Sequence, residues 1–202
     1  MIVRHWMTTD VVTVKREASI QEALALMKQH SIRHLPVVNK DKKLLGWVSD
    51  ADLRGVLIAS MLEELTLDDV MVRKPHVAHP EMRLEDAAHL ILERRIGGLP
   101  VVDDGRLVGI ITVVDILSAF ITMMGMLAHS SRLDVRISTP PRPLDTVTRL
   151  IHNHHAEIIS ICHLPEMEGR ENVYSIRLKK CNLQPIVADM EKDGIEVVSA
   201  IP

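Results

Sequence analysis

Gly46-Trp47-Val48-Ser49-Asp50-Ala51-Asp52 and Gly109-Ile110-Ile111-Thr112-Val113-Val114-Asp115 are one pattern written twice, and that pattern decides the fold. Upstream of each stands the same run, Leu35-Pro36-Val37-Val38 and Leu99-Pro100-Val101-Val102. Further out, Met7, Glu17, Ala23, Leu26 and Ile32 all recur 64 residues later. Gly46, Ser49 and Asp52 return only 63 residues later, as Gly109, Thr112 and Asp115, so one residue is lost in the intervening turn. A period this long with matching punctuation marks two copies of one supersecondary unit. Neither copy is large enough to bury a good core alone, so a pseudo-twofold pair is expected.

Within the first copy, Val11-Val12-Thr13-Val14 reads as a short β-branched strand. Ser19 with Glu22 forms a capping box, and Ile20, Ala23, Leu24 and Met27 make the apolar stripe of the helix it opens. A strand from Ile32 through Val38, a turn at Asn39-Lys40-Asp41-Lys42 and a return strand Leu44 to Ser49 form a hairpin. A second helix then runs towards Met61. The second copy repeats this β-α-β-β-α order, with its turn at Asp103-Asp104-Gly105 and its return strand from Leu107 to Thr112. Residues 1–64 and 65–129 are therefore expected as two repeats, the second carrying a connecting helix from Asp115 to about Ala128.

Composition narrows the function. The chain has 202 residues, 47% of them apolar and 25% charged, with a formal net charge of -3. That suits one or two packed domains and advertises neither a nucleic-acid partner nor an anionic membrane surface. Arg4, His5 and Asp10 interrupt any signal peptide, and the apolar run Ile116 to Ala128 is too short to span a bilayer. Cys162 and Cys181 lack C-x-x-C spacing and are expected to stay reduced in a cytoplasm. The aromatics are Trp6, Trp47, Phe120 and Tyr174, so aliphatic side chains must fill the cores and grip any planar ligand.

A hydroxyl followed three residues later by a carboxylate, where a strand becomes a helix, has two compatible readings. It is an N-cap with its capping-box partner. It also suits a nucleotide, with helix N–H groups and the hydroxyl turned to phosphate and the aspartate accepting from vicinal ribose hydroxyls. Its presence at matching places in both copies favours function. Trp47 shares a strand face with Ser49, as a hydrophobic plug against the other copy or as part of a cleft. No P-loop, dinucleotide fingerprint, H-E-x-x-H or G-x-S-x-G segment occurs, and no nucleophile–base arrangement is legible, so the chain is read as a non-enzyme. His152, His154 and His155 do not share one helical face and read as a solvated helix end rather than a metal site.

These repeats resemble a tandem CBS-domain pair, the Bateman module, over roughly residues 1–125. The resemblance implies clefts between the copies that hold adenosine-containing ligands: AMP, ADP, ATP or S-adenosylmethionine, with no cofactor required. Carried over, Asp52 and Asp115 would hold ribose, and Ser49 and Thr112 would contact phosphate or ribose. Arg33 and His34, before Leu35-Pro36, would meet phosphate in one cleft, whereas Gly97-Gly98, before Leu99-Pro100, replaces that basic pair in the second copy. The cleft lacking the pair is then expected to be weaker or to prefer a less charged ligand. Val12, Thr13, His76 and Val77 would offer backbone contacts to adenine. The Met-rich helix Phe120, Met123, Met124 and Met126 is core packing or a dimer contact, since such modules commonly pair into flat discs.

After Ser130-Ser131 the pattern resets. Leu133–Ser138, Glu157–His163, Val173–Leu178 and Ile195–Ile201 read as strands, and Leu144–His154 and Pro185–Asp193 as helices, with Gly194 as the stop. Thr139-Pro140-Pro141-Arg142-Pro143 reads as a rigid turn and 165–172 as a polar hairpin loop. The order β-α-β-β-α-β over 130–202 is ferredoxin-like and similar to an ACT domain, which implies amino-acid binding or pairing. No glycine stands at the 140–143 turn, where amino-acid-binding members place one, which favours pairing. A CBS pair followed by an ACT-like domain resembles acetoin-utilisation proteins of the AcuB type. The chain is thus read as an α+β cytoplasmic nucleotide sensor and homodimer acting on a partner enzyme. Its rivals are an amino-acid sensor and a structural adaptor.

Overall fold

A computed structural model describes residues 1–58, 60, 65–126, 129–137, 143–165 and 172–202. Packing divides the chain into two compact units, Met1–Leu117 and Ser118–Pro202. In the first, α1 (Ile20–His30) starts at Ser19, whose Oγ accepts from Glu22 N at 3.1 Å while the Glu22 carboxylate accepts from Ser19 N at 2.8 Å. β1 (His34–Val38) and β2 (Leu44–Ser49) pair antiparallel and lead directly into α2 (Asp50–Val56). The second copy opens with a short α3 (Leu67–Val70) and continues as α4 (Leu84–Arg94), β3 (Gly98–Asp103), β4 (Arg106–Thr112) and α5 (Val113–Met123). The two repeat-ending helices stop short of the expectation: α2 gives way to a turn at 57–58, and α5 to a turn at Met124-Gly125, where Gly125 has a left-handed φ of 67°; Met61 and Ala128 themselves lie outside the described residues.

The hairpins show where the residue is lost. Val38 faces Leu44 in the first and Val102 faces Leu107 in the second, so the second loop is one residue shorter. Asp104 and Gly105 turn it with φ of 46° and 76°, the left-handed pair a tight hairpin needs. Both hairpins shift register after the same valine, Val37 and Val101, a bulge kept in both copies.

The strand expected over Val11–Val14 shrinks to one parallel bridge, Val14 with Val37, and its counterpart is one bridge, Ala78 with Val101. The reason is that each preceding segment leaves its own copy to pair with the other. Thr8 and Ile110 exchange N–H···O bonds at 2.9 Å each, and Trp47 and Val72 do the same at 3.1 and 2.9 Å. Val3 N donates to Met82 O at 2.9 Å, as its match Leu67 N donates to Ala18 O at 2.9 Å. The cores follow the same correspondence. Ile20, Ala23, Leu35, Val37, Val48, Leu53 and Leu67 are fully buried, as are Leu84, Ala87, Leu99, Val101, Ile111 and Val3. A fully buried aliphatic side chain of this size stabilises by about 1.5–3 kcal/mol, so these clusters dominate the unit's stability.

The second unit holds β5 (Ser130–Arg136), α6 (Pro143–Asn153), β6 (Ile158–His163), β7 (Val173–Lys179), α7 (Gln184–Lys192) and β8 (Glu196–Ile201). Its sheet is antiparallel throughout, in the order β6-β7-β5-β8. Leu133 and Val135 of β5, Ile176 and Leu178 of β7, Val147 and Ile151 of α6, and Ile186 and Met190 of α7 form the core. Ser130 rather than Leu133 begins the first strand, because Ser131, fully buried, is satisfied there: its Oγ donates to Cys181 O at 3.2 Å and accepts from Cys181 N at 3.1 Å. Burial pushes the Asp134 carboxyl up, but hydrogen bonds from Arg132 (2.9 and 2.5 Å) and Ser175 outweigh it and hold the group below the usual carboxylate range. The helical stop at Gly194 has φ of 74°, as a C-terminal glycine should. His154 Nε2 donates to Asp189 Oδ2 at 3.0 Å. Most of the proline-rich turn (138–142) and of the 165–172 loop (166–171) lies outside the described residues.

Candidate functional site

Within the first unit a cleft of about 740 Å³ opens between the copies. One wall is the start of β1, the end of β2 and the start of α2: Arg33, His34, Trp47, Ser49, Asp50, Ala51 and Asp52. The other comes from the second copy: Val72, Lys74, Pro75 and His76 before α4, then Arg95, Ile96, Gly97, Gly98 and Pro100 after it. A strand end and a helix start from one copy thus face two irregular segments of the other, which is the consequence of the exchange described above. The volume lies within the range typical of small-molecule sites.

Of the residues expected from sequence, Arg33, His34, Ser49, Asp52, His76, Gly98 and Pro100 line this cleft. Thr112 and Asp115 do not; they occupy the matching position on the second copy. Leu35 and Leu99 are fully buried in the cores, and Pro36 is buried in β1, so their side chains serve packing. Val12 and Thr13 precede the Val14 bridge and Val77 precedes the Ala78 bridge, outside this lining.

The glycine pair is placed differently from the expectation that it belongs to a separate cleft. Gly97 and Gly98 share the cleft with Arg33 and His34. A Cβ on Gly97 would sit 2.5 Å from His34 Cε1, and one on Gly98 would sit 2.9 Å from the Ile111 carbonyl oxygen. Glycine is therefore needed to let the His34 ring and the β4 backbone approach. The His34 ring stacks on Trp47 with centroids 5.3 Å apart and planes 23° apart. Trp47, buried to 8% exposure, is both inter-copy plug and cleft wall. Burial, and secondarily the Arg33 charge, push the His34 imidazole below its ordinary value against a smaller opposing pull from Asp52. It faces the cleft as a neutral ring at neutral pH.

Both capping boxes form. Ser49 N and Oγ donate to Asp52 Oδ2 at 3.2 and 2.6 Å, and Asp52 N donates to Ser49 Oγ at 3.2 Å. Thr112 and Asp115 repeat this at 2.8, 2.6 and 3.4 Å. Asp50 N meanwhile donates to Arg33 O at 2.9 Å and Val113 N to Gly97 O at 3.1 Å. The N–H groups expected to greet a phosphate at α2 are largely satisfied within the protein. Every one of these carboxylate bonds falls on Oδ2, which leaves Oδ1 of Asp52 to accept from a ligand.

Lys74 and Arg95, which belong to no recurring motif of the repeat, also line the cleft, and only packing brings them there. At the positions matching Lys74 and Arg95 the first copy holds Asp10 and Ser31. That difference adds to Arg33 against Gly97 in separating the charge of the two copies' contributions.

The fold is a duplicated α+β module whose copies interlock around a cleft. The CBS domain model matches residues 3–59 and 67–122, and the chain belongs to the CBS-domain family. YhcV of Bacillus subtilis is 38% identical over 115 residues, covering 56% of this chain and 81% of that protein. The chain spans less than half of two longer relatives from Methanocaldococcus jannaschii, 42% of MJ1225 at 35% identity and 33% of inosine-5'-monophosphate dehydrogenase at 32% identity. Among solved structures, the CBS pair of MJ0100 with 5'-methylthioadenosine and S-adenosylmethionine aligns at 31% identity and a TM-score of 0.55 over 59% of this chain and 95% of that one. CBSX2 with AMP aligns at 33% and 0.55 over 60% and 96%. AcuB from Vibrio cholerae aligns at 35% and 0.57 over 62% and 94%.

Proposed function

We propose that this chain is a regulatory sensor whose cleft at Ser49–Asp52 binds an adenosine-containing ligand. The observation that carries the reading is convergence: Asp52, with Oδ1 unengaged, faces His76, Gly97 and Gly98 of the other copy across one nucleotide-sized cleft. The ribose diol would donate to Asp52, and the aliphatic walls Val72, Pro75, Ile96 and Pro100 would sandwich adenine. The AMP complex of CBSX2 and the adenosyl complexes of MJ0100 support it. Because the two walls belong to different copies, ligand binding biases how the copies sit against each other, a coupling typically worth about 1–3 kcal/mol.

The β-α-β-β-α-β order of the second unit, with strands in the order β6-β7-β5-β8, supports the ACT-like reading of 130–202 as a pairing or output module. Val114 and Leu117 of α5, 73% and 55% exposed, support a homodimer contact. The alignments with AcuB and with a dehydrogenase support a partner enzyme and a link to acetoin metabolism as the output.

A thermal-shift panel tests the reading. A ligand at 100 times its dissociation constant stabilises by about 2.7 kcal/mol. AMP, ADP, ATP or S-adenosylmethionine should raise the Tm of the wild type and do so less in Asp52→Ala. A shift with amino acids alone would replace the reading with amino-acid sensing; no shift with either would leave an adaptor.

A further inference from the structure

We infer that the groove between α7 and the open edge of β8 binds an extended peptide, which adds a strand to the sheet of the second unit. The inference concerns that unit alone and does not depend on what the cleft of the first unit holds. β8 stands at one end of the order β6-β7-β5-β8, so its outer backbone N–H and C=O groups face no strand among the described residues. Such an edge is a template for another strand. Val198 is skipped between the Asp134–Ser199 and Val135–Val197 pairs, a bulge that interrupts the ladder there. Residues 199–201 keep a regular register, and Ile201 is 50% exposed.

Beside this stretch lies a cavity of about 420 Å³. Gln184, Val187, Ala188 and Glu191 line it from one face of α7, at i, i+3, i+4 and i+7, and Leu183 and Ala200 close it. The short side chains of Ala188 and Ala200 leave the space, while Leu183 and Val187 make it apolar. An edge strand beside such a groove suits a bound strand, which bonds its main chain to the edge and lays alternate side chains in the pocket. Asn182 Oδ1 already accepts from Gln184 N at 3.1 Å, so the start of α7 is not left for an anion. Glu191 is the charged residue of the lining, and among the described residues its carboxylate has no ion pair or hydrogen bond. The neighbouring acid is committed: Asp189 meets Lys192 at 2.9 Å and His154 at 3.0 Å. Glu191 lies four residues, about 6 Å, along the helix from Val187. Side chains two apart on a strand share a face and stand about 6.6 Å apart. The occupant is therefore an extended segment with an aliphatic side chain for the Val187 pocket and a lysine or arginine two residues away for Glu191.

Titration of the full isotope-labelled chain with the peptide Thr-Lys-Thr-Val-Thr-Lys-Thr, followed by amide chemical shifts, tests this. Its lysines flank the valine on both sides, so either strand direction meets the spacing. The shifts should fall on residues 199–201 and on α7, and should approach saturation by about 1 mM. Glu191→Gln should weaken the peptide by roughly two- to fivefold, the range of an exposed ion pair. Ala188→Leu, at an exposed helix position, should fill the groove and abolish binding while keeping the Tm. N-methylation of the Val and Lys amides, or instead of the Thr amides, should abolish binding in one set and spare it in the other, because only alternate residues of a strand face the edge. Absence of binding at that concentration, unchanged binding by both variants, or equal effects of the two methylation patterns would overturn the proposal. Self-association that Ala188→Leu removes, without peptide binding, would also overturn it and give the groove to a second copy.

Discussion

His34 sits at the junction of every force in the cleft. Its ring is stacked on Trp47, packed over Gly97, pushed by Arg33 and pulled by Asp52. Its folded-state value lies below the unfolded one, so the unfolded chain binds the proton more readily. The stability it permits is complete above the unfolded value and is lost as pH falls through the window beneath it. Thermal melts from about pH 7 to about pH 5.5 should show a falling Tm that His34→Gln blunts, with equal slopes for the two proteins contradicting the assignment. At this scale the caps were legible, since a hydroxyl and a carboxylate three residues apart at a helix start define their own geometry. Gly97 was not. Its reason is a ring from another strand, 63 residues away in sequence, and only packing reveals that contact.

Secondary-structure elements read well wherever their pattern is local. The β2 bounds, the α1 cap and the Asp104-Gly105 turn depend on neighbours within a few residues. The strand over Val11–Val14 depends on a competition that is not local, between its own copy and the other, and the other copy takes the preceding segment through Thr8 and Ile110. The recurring Met and Gly of the repeat belong to that exchange. A Cβ on Gly46 would meet Met71 Sδ at 2.4 Å, and one on Gly109 would meet Met7 Sδ at 2.7 Å, each methionine lying over a glycine of the other copy. Gly46→Ala and Gly109→Ala should each destabilise the fold by about 1–3 kcal/mol through overpacking, partly restored by Met71→Ala and Met7→Ala respectively. Denaturant midpoints measure this, and additive losses in the double variants would refute the pairing.

For the whole molecule, the duplication was legible as a period and the second unit as a β-α-β-β-α-β order, while the cleft's charge was not. Asp10 against Lys74 and Ser31 against Arg95 are differences inside a repeat, at positions that carry no motif of their own. Their meaning appears only when the fold turns Lys74 and Arg95 towards Arg33. In the proposed reading, a ligand held by Asp52 on one copy and by His76 on the other would report on how the copies meet. The most direct test compares AMP with its 2',3'-dideoxy analogue on the wild type and on Asp52→Asn, which keeps a cap acceptor and drops the charge. A hydrogen bond to a charged acceptor is worth about 1.5–3 kcal/mol, so the wild type should prefer AMP by roughly tenfold or more, and the preference should collapse in Asp52→Asn. Equal binding of the two nucleotides by the wild type, or a preference that survives Asp52→Asn, would contradict a ribose held by Asp52.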